Sequence, residues 1–337
     1  MDWIESLALG VVQGITEFLP ISSDGHLNIT QMGFEHLTGR GSSAADKIFF
    51  DVMLHVGTLL AIVAHYRQQA LAGAAGLLKD APDLPPPYRR MAVVRTGILV
   101  VVATLPLIPD KLFFMKLIEE AFESLTATGV GFLITAAILL LTIRLRGGQK
   151  GPAETTWLDA LLVGVAQMFA PLPGVSRSGL TISAALALGF SRTWAVNFSL
   201  MMAVPAILGA TAFELRKVDP ETLTGERISQ IVASAAVAGV IGYLAIVWLL
   251  RLVRSGRLWY FSVYLIFLGL GLIAVDQTTR RRPDARPSQA LDRPDGAVAP
   301  GSGGRPGLFG FVQPLAGPFE DGPGATDPNA FGSSGRT

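Results

Sequence analysis

The chain has 337 residues, 50% of them hydrophobic and only 16% charged, with a net charge of +1 and no cysteine. Soluble domains carry about 25% charged residues, so this composition cannot cover a water-facing surface and points into a bilayer. The near-neutral balance excludes a strongly basic nucleic-acid binder, and the lack of cysteine excludes disulfides, thiolate nucleophiles, cysteine-ligated zinc and iron–sulfur clusters.

The first apolar stretch, about residues 3–33, is not an ordinary span, because Gln13, Glu17, Pro20, Ser22, Ser23, Asp24, Gly25 and His26 interrupt it. Three uninterrupted runs follow, roughly 48–66, 91–109 and 125–143, each near the ~20 residues that cross ~30 Å of hydrocarbon. A second interrupted stretch, about 157–190, carries Gln167, Pro171, Pro173, Gly174, Ser176, Arg177, Ser178 and Gly179. Three more runs close the apolar region at 198–214, 230–250 and 259–275. None has the period-two alternation of a barrel wall, so the reading is an all-α polytopic membrane protein. Proline breaks a helix, and the freed backbone groups cannot face lipid. Each interrupted stretch is therefore expected to be a re-entrant helical hairpin, giving six transmembrane helices plus two hairpins. Residues 276–337 are rich in Gly and Pro without apolar periodicity and read as a disordered tail, leaving 1–275 as the membrane domain.

The two interrupted stretches resemble each other. Gly10-Val11-Val12-Gln13 parallels Gly164-Val165-Ala166-Gln167, Leu19-Pro20 followed by Ser23 parallels Leu172-Pro173 followed by Ser176, and Phe50 to Ala64 aligns with Phe198 to Ala212. A hairpin plus three spans per half, about 3–143 and 157–275, makes an inverted repeat with both broken loops near the midplane. One set of loops collects Arg67, Arg89, Arg90, Arg144, Arg251 and Arg254 with few acids, which predicts that face to be cytoplasmic and both termini to lie outside. Arg280, Arg281 and Arg282 oppose that assignment. Trp157, Trp259 and Tyr260 near span ends read as interfacial anchors.

Glu17 and Arg177 are ionisable groups at membrane depth, each beside a helix break, and such groups need partners or a wet cavity. Gln13 and Glu17 lie one helical turn apart on a shared face. Ser22, Ser23 and His26 follow Pro20, while Ser176, Arg177, Ser178 and Thr181 cluster beside Gly174 and Gly179. Together these residues suit a phosphate ester. The Arg177 guanidinium matches phosphate oxygens, and Gly174 and Gly179 allow close backbone approach at a helix start. Glu17 with Gln13 offers oxygen ligands for Mg²⁺ or Ca²⁺. Ser23 is a candidate nucleophile and His26 a candidate acid or base. Asp24 is expected to cap the next helix, although a metal-binding role is the alternative. His36, His55 and His65 read as helix-face or interfacial residues, and Arg192 as either a phosphate sensor or a headgroup or backbone contact.

The run Gln13-Gly14-Ile15-Thr16-Glu17-Phe18-Leu19-Pro20-Ile21-Ser22-Ser23-Asp24-Gly25-His26-Leu27 resembles the first signature of bacterial undecaprenyl-diphosphate phosphatases, the bacitracin-resistance family. Pro173-Gly174-Val175-Ser176-Arg177-Ser178-Gly179-Leu180-Thr181 is similar to their second signature, and the likeness extends over roughly residues 3–275. The resemblance implies hydrolysis of a C55 polyprenyl diphosphate to the monophosphate carrier reused for peptidoglycan, aided by Mg²⁺ or Ca²⁺, in the bacterial cytoplasmic (inner) membrane with an outward-facing site. It places the metal-associated pair on Gln13 and Glu17, and the nucleophile or base on Ser23 and His26. It places the phosphate-binding arginine on Arg177, with Gly174, Ser176, Ser178 and Thr181 around it. Asp24 stands where that family usually has a small Ser or Thr. A transporter or flippase of the lipid carrier is the alternative that an inverted repeat suggests. The oligomeric state, a homodimer included, stays open, as does the choice among Ser23, His26 and metal-bound water as nucleophile.

Overall fold

The computed structural model describes residues 2–39, 41, 44–78, 85–108, 115–145, 147–217 and 223–281. In chain order the helices are α1 (Trp3–Thr16), α2 (Ser23–Thr38), α3 (Ala44–His65), α4 (Arg67–Leu78), α5 (Arg90–Thr104) and α6 (Met115–Phe122). They continue with α7 (Leu125–Leu141), α8 (Trp157–Gln167), α9 (Arg177–Ala187), α10 (Arg192–Glu214), α11 (Gly225–Arg254) and α12 (Tyr260–Arg281). Among the described residues the β-type pairing is confined to an isolated bridge between Lys150 and Phe190.

Five helical stretches are long and apolar enough to cross a membrane: Asp46–His65, Arg90–Leu107, Arg192–Glu214, Gly225–Arg254 and Tyr260–Thr279. The sixth expected span is α7, apolar but 17 residues long. Apolar side chains in mid-helix face outward on these elements, as Leu60, Ile98, Val240, Leu244 and Phe267 do, the reverse of a soluble bundle and the arrangement lipid requires. The protein is an all-α, multi-pass membrane protein. Two helices occupy stretches read from sequence as breaks. In α4 the run Arg-Gln-Gln-Ala-Leu-Ala consists of strong helix formers, so the chain rewinds one residue after α3 ends. The second is the short α6. The last helix runs on through Arg281, six residues into the stretch assigned to the tail, and residues 282–337 lie outside the described residues.

Helix length explains the hairpins. The 14 residues of α1 and the 11 of α8 rise about 21 and 17 Å, well short of a bilayer core. Asp2 starts α1 by accepting from the Glu5 N–H, and a capping box between Thr156 and Asp159 starts α8. The chain then turns, through residues 17–21 or 168–175, and returns in α2 or α9. Ser22 caps α2 by accepting from Gly25 N, and Ser176 caps α9 by accepting from Gly179 N. The two caps correct the sequence alignment by one residue: Ser22, and not Ser23, is the counterpart of Ser176. The first turn is the tighter one, and Ser22 closes it at φ 69, a left-handed conformation that costs a non-glycine residue about 1–2 kcal/mol. In the longer second turn, Gly174 takes the left-handed position at φ 81.

Packing repeats between the halves. Helix α1 lies on α11 as α8 lies on α5, α3 meets its counterpart α10, and α7 meets its counterpart α12. Small residues make these crossings close, as expected where lipid removes the hydrophobic drive between helices. A Cβ at Gly10 would stand 2.6 Å from the Ser234 carbonyl oxygen of α11, and one at Gly164 would collide with the Ala103 carbonyl of α5. Gly129 and Gly269 face each other reciprocally at the α7–α12 crossing, each 2.7 Å from the other's carbonyl by the same measure. These contacts bring the two hairpin tips together.

Candidate active site

Glu17 follows the last turn of α1, where its N–H still bonds the Gln13 carbonyl at 3.0 Å. Its side chain is 4% exposed and points at the other hairpin. Arg177, in the first turn of α9, reaches Glu17 Oε1 through Nη2 at 2.5 Å. The second carboxylate oxygen is also occupied: Ser23 Oγ donates to Oε2 at 2.8 Å and Gln13 Nε2 at 3.1 Å. Burying an ion pair loses hydration that Coulomb attraction alone seldom returns, so these additional donors are what make a buried Glu17 tolerable.

A cavity opens beside the pair, lined by Glu17, Ser22, Ser23, Asp24, Ala170, Val175, Ser176 and Arg177. Both hairpins therefore contribute their loops and the N-terminal turns of α2 and α9. Two helix starts carry positive partial charge toward one space, and with Arg177 they make it suited to an anion.

The remaining second-loop residues serve the framework. Ser176 Oγ accepts from Gly179 N at 3.1 Å, and Ser176 N donates to Thr135 Oγ1 of α7 at 3.0 Å. Thr135 in turn donates to the Gly174 carbonyl at 3.0 Å. Ser178 Oγ donates to the Leu19 carbonyl at 3.1 Å, tying one hairpin directly to the other. Thr181 is buried, donates to the Arg177 carbonyl at 2.9 Å and meets Ser199 Oγ of α10 at 2.6 Å. Of the residues expected to hold phosphate, Arg177 and Ser176 line the cavity. Gly174, Ser178 and Thr181 instead hold the loop in shape. The Gly179 N–H is consumed by the cap.

His26 is not among the lining residues. Its Nδ1 lies 2.7 Å from the Ser22 carbonyl and must donate there, and in the neutral ring Nε2 then accepts from the Tyr264 hydroxyl of α12 at 2.7 Å. The ring stacks on Tyr264 and meets Phe132 edge-on. The hydroxyl of Ser23 is directed at Glu17, not at the imidazole.

Two expectations are corrected. Asp24 does not cap α2, because Ser22 does; its carboxylate is 43% exposed, lines the cavity and faces His55 Nε2 at 3.8 Å. His55, expected as a helix-face or interfacial residue, instead has its Nε2 3.3 Å from Glu17 Oε2, and its Nδ1 is 2.7 Å from the Asp51 carbonyl. The sequence did hold a signal for it: Asp51 and His55 place two ionisable groups one turn apart inside an apolar span. The other side chains outside the loops keep structural roles. His65 packs on Tyr66 and Tyr243, and Arg192 donates to the Arg254 carbonyl at 3.0 Å, the backbone contact among its alternatives.

Among the described residues no three His, Cys, Asp or Glu side chains group as a metal centre. The available donors are hard oxygens, from Glu17 and Asp24 at the cavity. Gln13 turns its amide nitrogen to Glu17 and leaves Oε1 buried without a partner. That set suits Mg²⁺ or Ca²⁺ shared with phosphate oxygens more than an all-protein cage.

The chain is similar to known proteins over most of its length. A family model described as bacitracin resistance protein BacA matches residues 6–271. An undecaprenyl-diphosphatase of Carboxydothermus hydrogenoformans is 36% identical over 277 residues, covering 82% of this chain and 98% of the relative. Proteins of the same name from Desulfatibacillum aliphaticivorans (35% over 285 residues, 82% and 99% covered) and a Nocardioides species (34% over 280 residues, 82% and 98%) are similar in extent. With both signatures meeting at one cavity and the match spanning nearly all of the membrane region, the chain belongs to the bacitracin resistance protein BacA family.

Proposed function

We propose that the chain is an undecaprenyl-diphosphatase, which hydrolyses the C55 diphosphate to the monophosphate and inorganic phosphate and so confers bacitracin resistance. The observation that carries this reading is the meeting of Glu17, Ser23 and Arg177, from opposite halves, in a cavity faced by two helix starts. A pure carrier of the lipid has no need of a serine hydroxyl already bonded to a carboxylate.

The geometry supports a serine route. When substrate enters, Arg177 exchanges the Glu17 carboxylate for oxygens of the distal phosphate and neutralises charge that builds in the transition state. Ser23 Oγ attacks the distal phosphorus while its proton passes to Glu17 Oε2, the oxygen it already bonds at 2.8 Å. The bond between phosphorus and the bridging oxygen breaks, and the polyprenyl monophosphate leaves. Water then attacks the phosphoserine, releasing inorganic phosphate and returning the hydroxyl. His26, engaged at both ring nitrogens, favours this route over direct attack by imidazole. A divalent cation held by Glu17 and Asp24, with Gln13 Oε1 nearby in sequence, would supply further neutralisation of phosphate charge.

The site faces outward in this reading. Paired polar groups lie along the α2–α3 seam, Glu35 with Lys47 at 2.5 Å and Gln31 with Asp51 at 2.8 Å, from the end of α2 and the start of α3 toward Asp24 and His55. The start of α3 is the end of that helix opposite Arg67, which belongs to the Arg-rich set that the charge rule assigns to the cytoplasm. The test is phosphate release from a C55 diphosphate by detergent-purified protein, with and without chelator. Release that falls with chelator and returns with Mg²⁺ or Ca²⁺ is expected. Intact substrate with folded protein and added ion would remove the reading.

A further inference from the structure

Resting on the phosphatase reading, we infer that His55 is a positioning residue that aims the Glu17 carboxylate at Ser23. Three observations converge on it. Its ring is fixed from behind, since Nδ1 meets the Asp51 carbonyl at 2.7 Å within its own helix. The opposite nitrogen faces Glu17 Oε2 at 3.3 Å, the same oxygen that receives the Ser23 hydroxyl at 2.8 Å. The fold itself does not demand a polar group there. By the alignment of Phe50–Ala64 with Phe198–Ala212, the matching place on α10 holds Ala203, which is fully buried.

The chemistry follows from that placement. Glu17 is held on one side by Arg177, a contact it must relinquish when Arg177 turns to phosphate. Gln13 and His55, the latter as an imidazolium because both the Asp51 carbonyl and the Glu17 carboxylate can only accept, then remain as the donors that keep Oε2 in line with Ser23. Without His55 the carboxylate gains freedom to rotate, and a displacement of about 1 Å at a reacting group costs up to about a hundredfold in rate. His55 bonds Glu17 and touches neither Arg177 nor the loop around it, so its loss is expected to fall on kcat and to leave KM in place.

The experiment compares wild type, His55→Ala and His55→Gln by steady-state phosphate release from a C55 diphosphate, using the full chain in detergent. His55→Ala, which copies the second half, is expected to lose roughly ten- to a hundredfold in kcat with KM within about twofold. His55→Gln carries an amide N–H to a similar reach and is expected to recover most of that loss. An Ala variant within about twofold of wild type, a loss carried by KM, or a Gln variant no better than Ala while both are folded overturns the assignment. Failure of both variants to fold assigns His55 to the scaffold and overturns it as well. A wild type that releases no phosphate sinks the activity and this role together, whereas an active wild type with unmoved variants sinks the role alone.

Discussion

The two re-entrant hairpins share a scaffold and divide the chemistry. Each begins with a short helix whose glycine, Gly10 or Gly164, lets it lie against a span of the other half. Each returns in a helix capped by a serine, Ser22 or Ser176, bonded to a glycine N–H three residues on. Past those points the residues diverge. The first hairpin carries Glu17, and next to its cap Ser23 and Asp24. The second has Ala170 and Pro171 in the region matching Glu17, and Arg177 and Ser178 beside its cap. The shared scaffold thus supplies two positive helix starts facing one space, and the differing residues place Glu17 and Ser23 on one and the Arg177 guanidinium on the other. The repeated packing of the two halves brings two broken helices together at one cavity.

The sharpest way to break this division is at the ion pair. Arg177→Ala and Glu17→Ala should each lower phosphate release by a factor on the order of 10²–10³ or more. Each should also destabilise the protein by about 3–5 kcal/mol, because the partner is left buried and uncompensated. The double change Glu17→Gln with Arg177→Met should regain thermal stability in detergent without regaining turnover. Recovery of both would mean that the pair is architecture and the chemistry lies elsewhere.

A second comparison tests whether the halves share a scaffold. Gly10→Val and Gly164→Val both force a side chain into a carbonyl of the facing span, and each should cost about 1–3 kcal/mol. Similar losses, measured by thermal unfolding in detergent, support equivalent crossings. A loss in one half alone would separate them. The smallest effects concern the caps. Ser176→Ala should cost about 1 kcal/mol. Ser22→Gly should cost less than Ser22→Ala, since glycine accepts the left-handed φ of 69 that Ser22 endures, and Ser176, at φ −85, should show no such relief from strain.

Much of this was legible in the chain. Six apolar runs punctuated by Pro, Gly and Arg marked the spans, and the same punctuation inside two apolar stretches marked the hairpins. Glu17, Ser23 and Arg177 stood out because ionisable and nucleophilic groups were gathered at membrane depth. What escaped depended on tertiary contact. The orientation of His26 is set by Tyr264, on a helix 238 residues away. The hydroxyls of Ser178 and Thr181 look like phosphate ligands until Leu19 and Ser199 claim them. His55 looked like one polar residue in a greasy span, and only the approach of α1 reveals what it faces. Asp24 was expected to cap its helix because short acids do so, yet Ser22 reached the free N–H first.

Since the chain has no cysteine, the meeting of the hairpins can be tested with one engineered pair. A Cβ at Gly179 would lie 3.4 Å from the Cβ of Pro20, close to the ~3.5–4.5 Å spacing of a disulfide. Pro20→Cys combined with Gly179→Cys should, on mild oxidation, form a cross-link. That bond should hold the two halves together after proteolysis in the loop between α7 and α8, and separate on reduction. Folded protein whose two thiols stay free under the same oxidation would mean that the tips do not meet, and a carboxylate on one hairpin and a guanidinium on the other could not then share a substrate.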